Sequence, residues 1–180
     1  MDRHIFRKRK ALNLDECKDI ISYFKKSTIP GWDIGQRRIE EKLGRTCVGG
    51  SLKLIEFQRL YEVLRQGLDE YVNTHSFLNK LDFFNIQETF NIQWSKVGKG
   101  FFAEHCENSS KKDSQRILAW MIYLNDIKYQ GGTCWPQQNY TSTPRAGDLY
   151  VWPAYFTHSH YGIPAPKEEK IITTGWVIFN

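Results

Sequence analysis

The chain has 180 residues, 41% hydrophobic and 25% charged, with 25 basic against 20 acidic side chains and a formal net charge of +5. That length makes one ordinary domain, and that balance excludes wholesale disorder. No run of about 18 apolar residues is present, so a membrane-spanning helix is excluded, and the basic start MDRHIFRKRK leads into no apolar stretch of a secretory signal. Six Trp, nine Tyr and eleven Phe favour strands and can fill a large core. RKRK at 7–10 is the one tight basic run; elsewhere Lys and Arg alternate with Glu and Asp. This reads as a solvated surface and does not indicate a nucleic-acid partner. Cys17, Cys47, Cys106 and Cys134 form no CxxC pair. With no export signal, free thiols and a cytoplasmic location are expected.

In chain order, residues 14–25 place Leu14, Cys17, Ile20, Ile21 and Phe24 on one helical face. Asn13 as N-cap and Glu16 three residues on suggest a capping box. The stretch 29–51 is Gly-rich and reads as loops with short strands. A second helix is expected over about 52–73, with Phe57, Leu60, Tyr61, Leu64, Leu68 and Tyr71 on its stripe. From about residue 86 the runs ETFNIQWSKV, GFFAEHCE, RILAWMIYLND, AGDLYVWP and EKIITTGWVIF are β-branched and aromatic, punctuated by Gly, Pro, Asn and Lys. Helices first and antiparallel strands after predict a mainly β fold of the jelly-roll kind, buttressed by N-terminal helices. No repeat or linker divides the chain, so 1–180 is read as one domain, with 1–85 as support and 86–180 as core.

Five histidines are present. His4 and His75 read as surface. His105 stands two residues before Glu107 in a strand pattern, and period two puts an imidazole and a carboxylate on one face. About fifty residues on, THSHYG supplies His158 and His160. Two histidines and one carboxylate can form the facial triad of a non-haem Fe(II) site. In KIITTGWVIF, alternation puts Lys170, Ile172, Thr174 and Trp176 on one face, with Ile171, Thr173, Gly175 and Val177 on the other. A lysine sharing a face with Ile and Trp either reaches solvent from the strand start or, if buried, needs an anion. No HExxH, GxxxxGK[ST] or GxSxG occurs, which sets aside zincins, P-loop enzymes and serine hydrolases.

The segment from about 88 to 179 resembles the iron(II)- and 2-oxoglutarate-dependent dioxygenases, in their prolyl 4-hydroxylase-like branch. The pieces SKVGKGFFAEHCE, RILAWMIYLND, GGT, AGDLYVWPAYFTHSHYGIP and EKIITTGW occur in the family's order. The resemblance implies a double-stranded β-helix (cupin-like) core, with Fe(II), 2-oxoglutarate and O2 as cofactor and cosubstrates and ascorbate as a reductant. It implies His105 and Glu107 as iron ligands, with His160 or His158 as the third. Pro164 four residues on and Lys170 ten on favour His160, while counting from the WP of the preceding strand admits His158. Since the two are two residues apart, both are expected to face the pocket.

The same resemblance assigns Lys170 to the distal carboxylate of 2-oxoglutarate, with Thr174 and Tyr123 as hydrogen-bonding partners. The implied activity is hydroxylation of an aliphatic C–H, a prolyl residue of a peptide or protein. Alternatives are another side chain, a small molecule, or a metal- or anion-binding jelly roll without turnover. Two departures stand out. Glu107 replaces the Asp of most of the wider family, and a retained carboxylate argues against a halogenase. The aromatic-x-Pro-Gly before the first His appears as Ser95-Lys96-Val97-Gly98, which alters one pocket hydroxyl. Arg116 is left between a structural and a substrate-facing role.

Overall fold

The computed structural model describes residues 4–26 and 47–180. Its backbone is a large antiparallel sheet in the order β1-β8-β5-β10-β4-β2, with β3 pairing β10 off this path. The strands are β1 (Phe6–Lys8), β2 (Cys47–Lys53), β3 (Phe84–Ile86), β4 (Thr89–Ser95), β5 (Arg116–Tyr123), β8 (Leu149–Pro153) and β10 (Lys170–Phe179). A small sheet, β7-β6-β9, is built from β6 (Thr133–Trp135), β7 (Tyr140–Thr141) and β9 (Tyr161–Gly162). The curled antiparallel strands are the jelly-roll core that the strand-rich half predicts.

Strand alternation divides the interior in two. On one face of the large sheet, Leu118, Trp120 and Ile122 of β5, Leu149 and Val151 of β8, and Ile171 and Val177 of β10 form the main apolar core with the helices. On the other face, Ala119, Met121, Tyr123, Tyr150 and Trp152 pack with Trp135 of the small sheet. The site lies on this second face.

Helix α1 (Leu14–Lys26) begins with the capping box that Asn13 and Glu16 suggest. Asn13 Oδ1 accepts from the N–H groups of Asp15 and Glu16 at 2.9 Å, and Glu16 Oε2 accepts from Asn13 N–H at 2.7 Å. The second helix, α2 (Gln58–Thr74), starts later than its apolar stripe suggests. Residues up to Lys53 belong to β2, and Leu54–Glu56 make one 3-10 turn. Periodicity misplaced this start because the last residues of β2 and the 3-10 turn carry apolar side chains in near-helical register. The stretch 29–51, expected to hold loops with short strands, lies outside the described residues as far as 46, and from Cys47 it belongs to the strand β2.

The N-terminal support also contributes edge strands, which three- and seven-residue segments gave little periodicity to reveal. In β1 the basic run is put to structural use. Arg7 donates to Asp148 Oδ2 from Nε at 2.9 Å and Nη2 at 2.5 Å, and Lys8 pairs with Glu70 of α2 at 2.5 Å. Asp148, 2% exposed, also accepts from Lys10 N–H at 2.9 Å.

Gly147 precedes β8 with φ +83°, and a Cβ there would run into the Leu12 carbonyl oxygen. Its own carbonyl accepts from Leu12 N–H at 3.2 Å, tying the N-terminal segment to the sheet. Gly147→Ala combines left-handed strain with a backbone clash, and about 3 kcal/mol of destabilisation is expected. In a chain of this size that lowers Tm by about 10 °C, read by thermal melting; an unchanged Tm would refute the close approach.

Candidate active site

His105 and His160 face each other as an isolated antiparallel bridge pair. Each backbone N–H donates to the other's carbonyl, at 3.0 and 2.8 Å, so two residues 55 positions apart are locked side by side. Their rings lie 4.4 Å apart between centroids. Glu107 follows two residues after His105, in a loop rather than a continuing strand. The ligating atoms of His105, Glu107 and His160 lie within 4.8 Å of one another.

The tautomers follow from the surroundings. His105 Nδ1–H donates to the Ala103 carbonyl at 2.9 Å and His160 Nδ1–H to the His158 carbonyl at 3.0 Å. Each Nε2 is thereby left with its lone pair. The two Nε2 atoms face Glu107 Oε1 at 3.6 and 3.4 Å. Three electron-pair donors converging on one point repel unless a cation sits among them. Burial opposes the charge on Glu107, but proton donation from His105 and His160, or a cation bound in its place, outweighs burial and holds the carboxyl well below the usual carboxylate range. Two imidazoles and one carboxylate fit a divalent first-row metal with further positions open.

The pocket above the triad encloses about 490 Å³, counting its open mouth. Lys170 stands in its wall and is 4% exposed, with Nζ–H donating to the Ile163 carbonyl at 3.2 Å. Ile172 and Thr174 share the wall, as alternation along β10 requires, while Ile171 and Val177 turn to the main core. Gly162 leaves room beside the ammonium, since a Cβ there would lie 3.1 Å from Nζ and 2.7 Å from the Phe101 carbonyl oxygen.

Three expectations change in the structure. His158 does not share a strand face with His160: residues 156–158 form a 3-10 turn, which breaks the alternation. Its Nδ1 meets Thr157 Oγ1 at 3.0 Å, and its ring lies edge-on to His4 at 6.3 Å, away from the triad. Thr174 lines the pocket, but its hydroxyl donates to the Trp120 carbonyl at 2.7 Å, so as placed it is no donor to an anion. Tyr123 stands behind the wall, its hydroxyl 2.7 Å from Ser142 Oγ and 3.3 Å from Thr133 Oγ1. Burial pushes its phenol up to about 12 against these hydrogen bonds, so it remains protonated at neutral pH.

Gln93 and Thr133 are pocket-lining polar residues that sequence reasoning missed. Gln93 lies two positions before Ser95 on β4 and opposite Ile172, so alternation from Ser95 could have found it. Thr133 sits in the GGT piece and exchanges contacts with Tyr123, which places it in front of that phenol. Ser95, 3% exposed, lines the pocket. Arg116 is held among Glu107, Asp113 and Trp176.

Two histidines and one carboxylate on this fold fit the donor set of a non-haem iron site. Residues 92–178 match the model of the 2OG-Fe(II) oxygenase superfamily. The cofactor and cosubstrates of that family are Fe(II), 2-oxoglutarate and O2. A prolyl 4-hydroxylase candidate from Acanthamoeba polyphaga mimivirus is 27% identical over 140 residues, covering 63% of this chain and 58% of its own length. The chain therefore spans little more than half of that relative. Among solved structures, the viral collagen prolyl hydroxylase of Paramecium bursaria Chlorella virus-1, in complex with 2-oxoglutarate, superposes with a TM-score of 0.76 at 20% identity. That match covers 99% of this chain and 97% of the other. A prolyl hydroxylase of Trichoplax adhaerens in complex with a peptide of hypoxia-inducible factor gives 0.64 at 14% identity, covering 97% and 83%.

Proposed function

We propose that the chain hydroxylates a prolyl residue of a peptide or protein, consuming 2-oxoglutarate and O2. The observation that carries this reading is the opening of His105, Glu107 and His160 into the same pocket as the buried Lys170. The family match supports the enzyme class, and the prolyl hydroxylase relatives support the substrate. When bound, Fe(II) with 2-oxoglutarate and O2 supplies an oxidative decarboxylation that yields succinate and CO2 and places one oxygen atom in a C–H bond.

In this reading His105, Glu107 and His160 hold the metal through Nε2, Oε1 and Nε2. The backbone carbonyls of Ala103 and His158 keep both imidazoles in the ligating tautomer. Lys170 takes the distal carboxylate of 2-oxoglutarate as a point charge. Phe101, Met121, Ile172 and Trp152 line the pocket with apolar surface that excludes bulk water. The substrate enters from the open mouth. The exposed Tyr155 and Phe156 sit on the turn just before His158 and offer aromatic surface to an extended peptide. Cys17, Cys106 and Cys134 are unpaired, which suits the reducing compartment proposed for the chain.

The test is anaerobic addition of Fe(II) and then 2-oxoglutarate, followed by admission of air with and without a proline-rich peptide. A weak visible charge-transfer band, succinate release and one oxygen atom gained on a prolyl ring are expected, the last read by mass spectrometry. Succinate without peptide oxidation would redirect the search to another substrate. Metal binding with neither band nor succinate would replace the enzyme by a binding module.

A further inference from the structure

Glu107 has two carboxylate oxygens, and the structure treats them differently. Oε1 faces His105 and His160. Oε2 accepts a hydrogen bond from the indole Nε1–H of Trp176 at 2.7 Å. The Trp176 ring is in turn covered by the Arg116 guanidinium, whose Cζ lies 3.7 Å from the ring centroid. Arg116 is anchored on both sides: Nη1 donates to the Glu107 carbonyl at 3.1 Å and lies 3.9 Å from Glu107 Oε2, and Nη2 pairs with Asp113 Oδ1 at 3.0 Å.

A glutamate carries one more rotatable bond than an aspartate, so a ligand of this length needs an external hold to present one oxygen in a defined direction. The indole N–H supplies that hold. A guanidinium against the indole face withdraws electron density from the ring and strengthens its N–H as a donor. Trp176 also lies on β10, the strand that carries Lys170 and Thr174. One strand thus orients the carboxylate and delivers the ammonium.

We propose that Trp176, backed by Arg116, is a positioning residue that makes Glu107 a one-oxygen metal donor and compensates for the extra methylene of Glu over Asp. This rests on the metal-holding role proposed for the triad. The test uses the full chain and Co(II), a redox-stable coloured probe, titrated anaerobically and followed by visible absorption. Trp176→Phe keeps a ring beneath Arg116 but removes the N–H. A loss of affinity of about 10- to 100-fold is expected, the range found when an outer partner of a metal ligand is removed. The Co(II) bands are expected to shift as the second oxygen is released.

Glu107→Asp retracts the carboxylate from Trp176, so adding Trp176→Phe in that background is expected to cost nothing further. A generally damaged fold would instead cost the same in both backgrounds. Should Trp176→Phe fail to fold by thermal melting, Trp176→Leu decides: weakened Co(II) binding with shifted bands supports the arrangement, and unchanged affinity overturns it. Unchanged affinity and bands in a folded Trp176→Phe variant would also overturn it. Wild-type protein that binds no Co(II) would overturn the ligand assignment itself, a failure distinct from a wild type that binds and a variant that binds equally well.

Discussion

Replacing His160 with alanine is expected to abolish stoichiometric Fe(II) binding, whereas replacing His158 leaves it intact. The two residues are close in sequence and both are buried, so the difference tests geometry rather than burial. His160 is the bridge partner of His105, with Nε2 3.4 Å from Glu107 Oε1. Trp152 and Trp135 brace its ring at centroid distances of 5.1 and 5.9 Å. His158 contributes its backbone carbonyl to the His160 Nδ1–H, and an alanine retains that carbonyl. Its own imidazole sits toward His4.

Losing an outer partner already costs about 10- to 100-fold in affinity, so losing the ligand itself exceeds that range. Anaerobic titration with Fe(II) reads the outcome, and melting curves of both variants separate ligand loss from unfolding. Retained metal in the His160 variant together with loss in the His158 variant would reverse the assignment.

The second large effect is expected at Lys170. Lys170→Ala should raise the 2-oxoglutarate concentration needed for half-maximal succinate release by about 10- to 150-fold, with Fe(II) affinity unchanged. The magnitude follows from a hydrogen bond to a charged group, about 1.5–3 kcal/mol, at about 1.4 kcal/mol for each tenfold change. Lys170 is buried in the pocket wall, where low dielectric strengthens its attraction for a carboxylate. The structure leaves this ammonium with much of the work, because the Thr174 hydroxyl proton is committed to Trp120 and the Tyr123 phenol to Ser142 and Thr133. Lys170→Arg is not a safe replacement, since it puts a larger planar guanidinium in place of a compact ammonium. An unchanged 2-oxoglutarate requirement in Lys170→Ala would remove Lys170 from the cosubstrate site.

Both predictions separate roles that chain position alone leaves entangled. The metal variants should fail at the first addition, before any cosubstrate is present. The Lys170 variant should bind metal normally and fail at the second addition. A chain in which the two sets of variants behaved alike would not have the divided pocket described here.

Much of this was legible in local pattern. Strict alternation over 170–177 put Lys170, Ile172 and Thr174 on one face and Ile171 and Val177 on the other, because a strand has a side-chain period of two whatever surrounds it. The capping box at Asn13 and Glu16 is equally local, since its hydrogen bonds close within three residues. The HxE spacing and the order of the motifs were enough to point to the family whose model matches residues 92–178 and to nominate His105, Glu107 and Lys170.

The rest depended on contacts between segments far apart in the chain. Counting by two made His158 and His160 equivalent, and only the 3-10 turn at 156–158 turned one of them away. The side chains of Thr174 and Tyr123 are the right chemistry for an anion site, but their hydroxyls are engaged with Trp120, Ser142 and Thr133, partners between 10 and 54 residues distant. The hold of Trp176 on Glu107 spans 69 residues. Residue type and local period determine what a side chain can offer and which face of its strand it occupies. Which atom it meets is decided by the packing of strands brought together from across the chain, and at this site that packing sets His160 apart from His158.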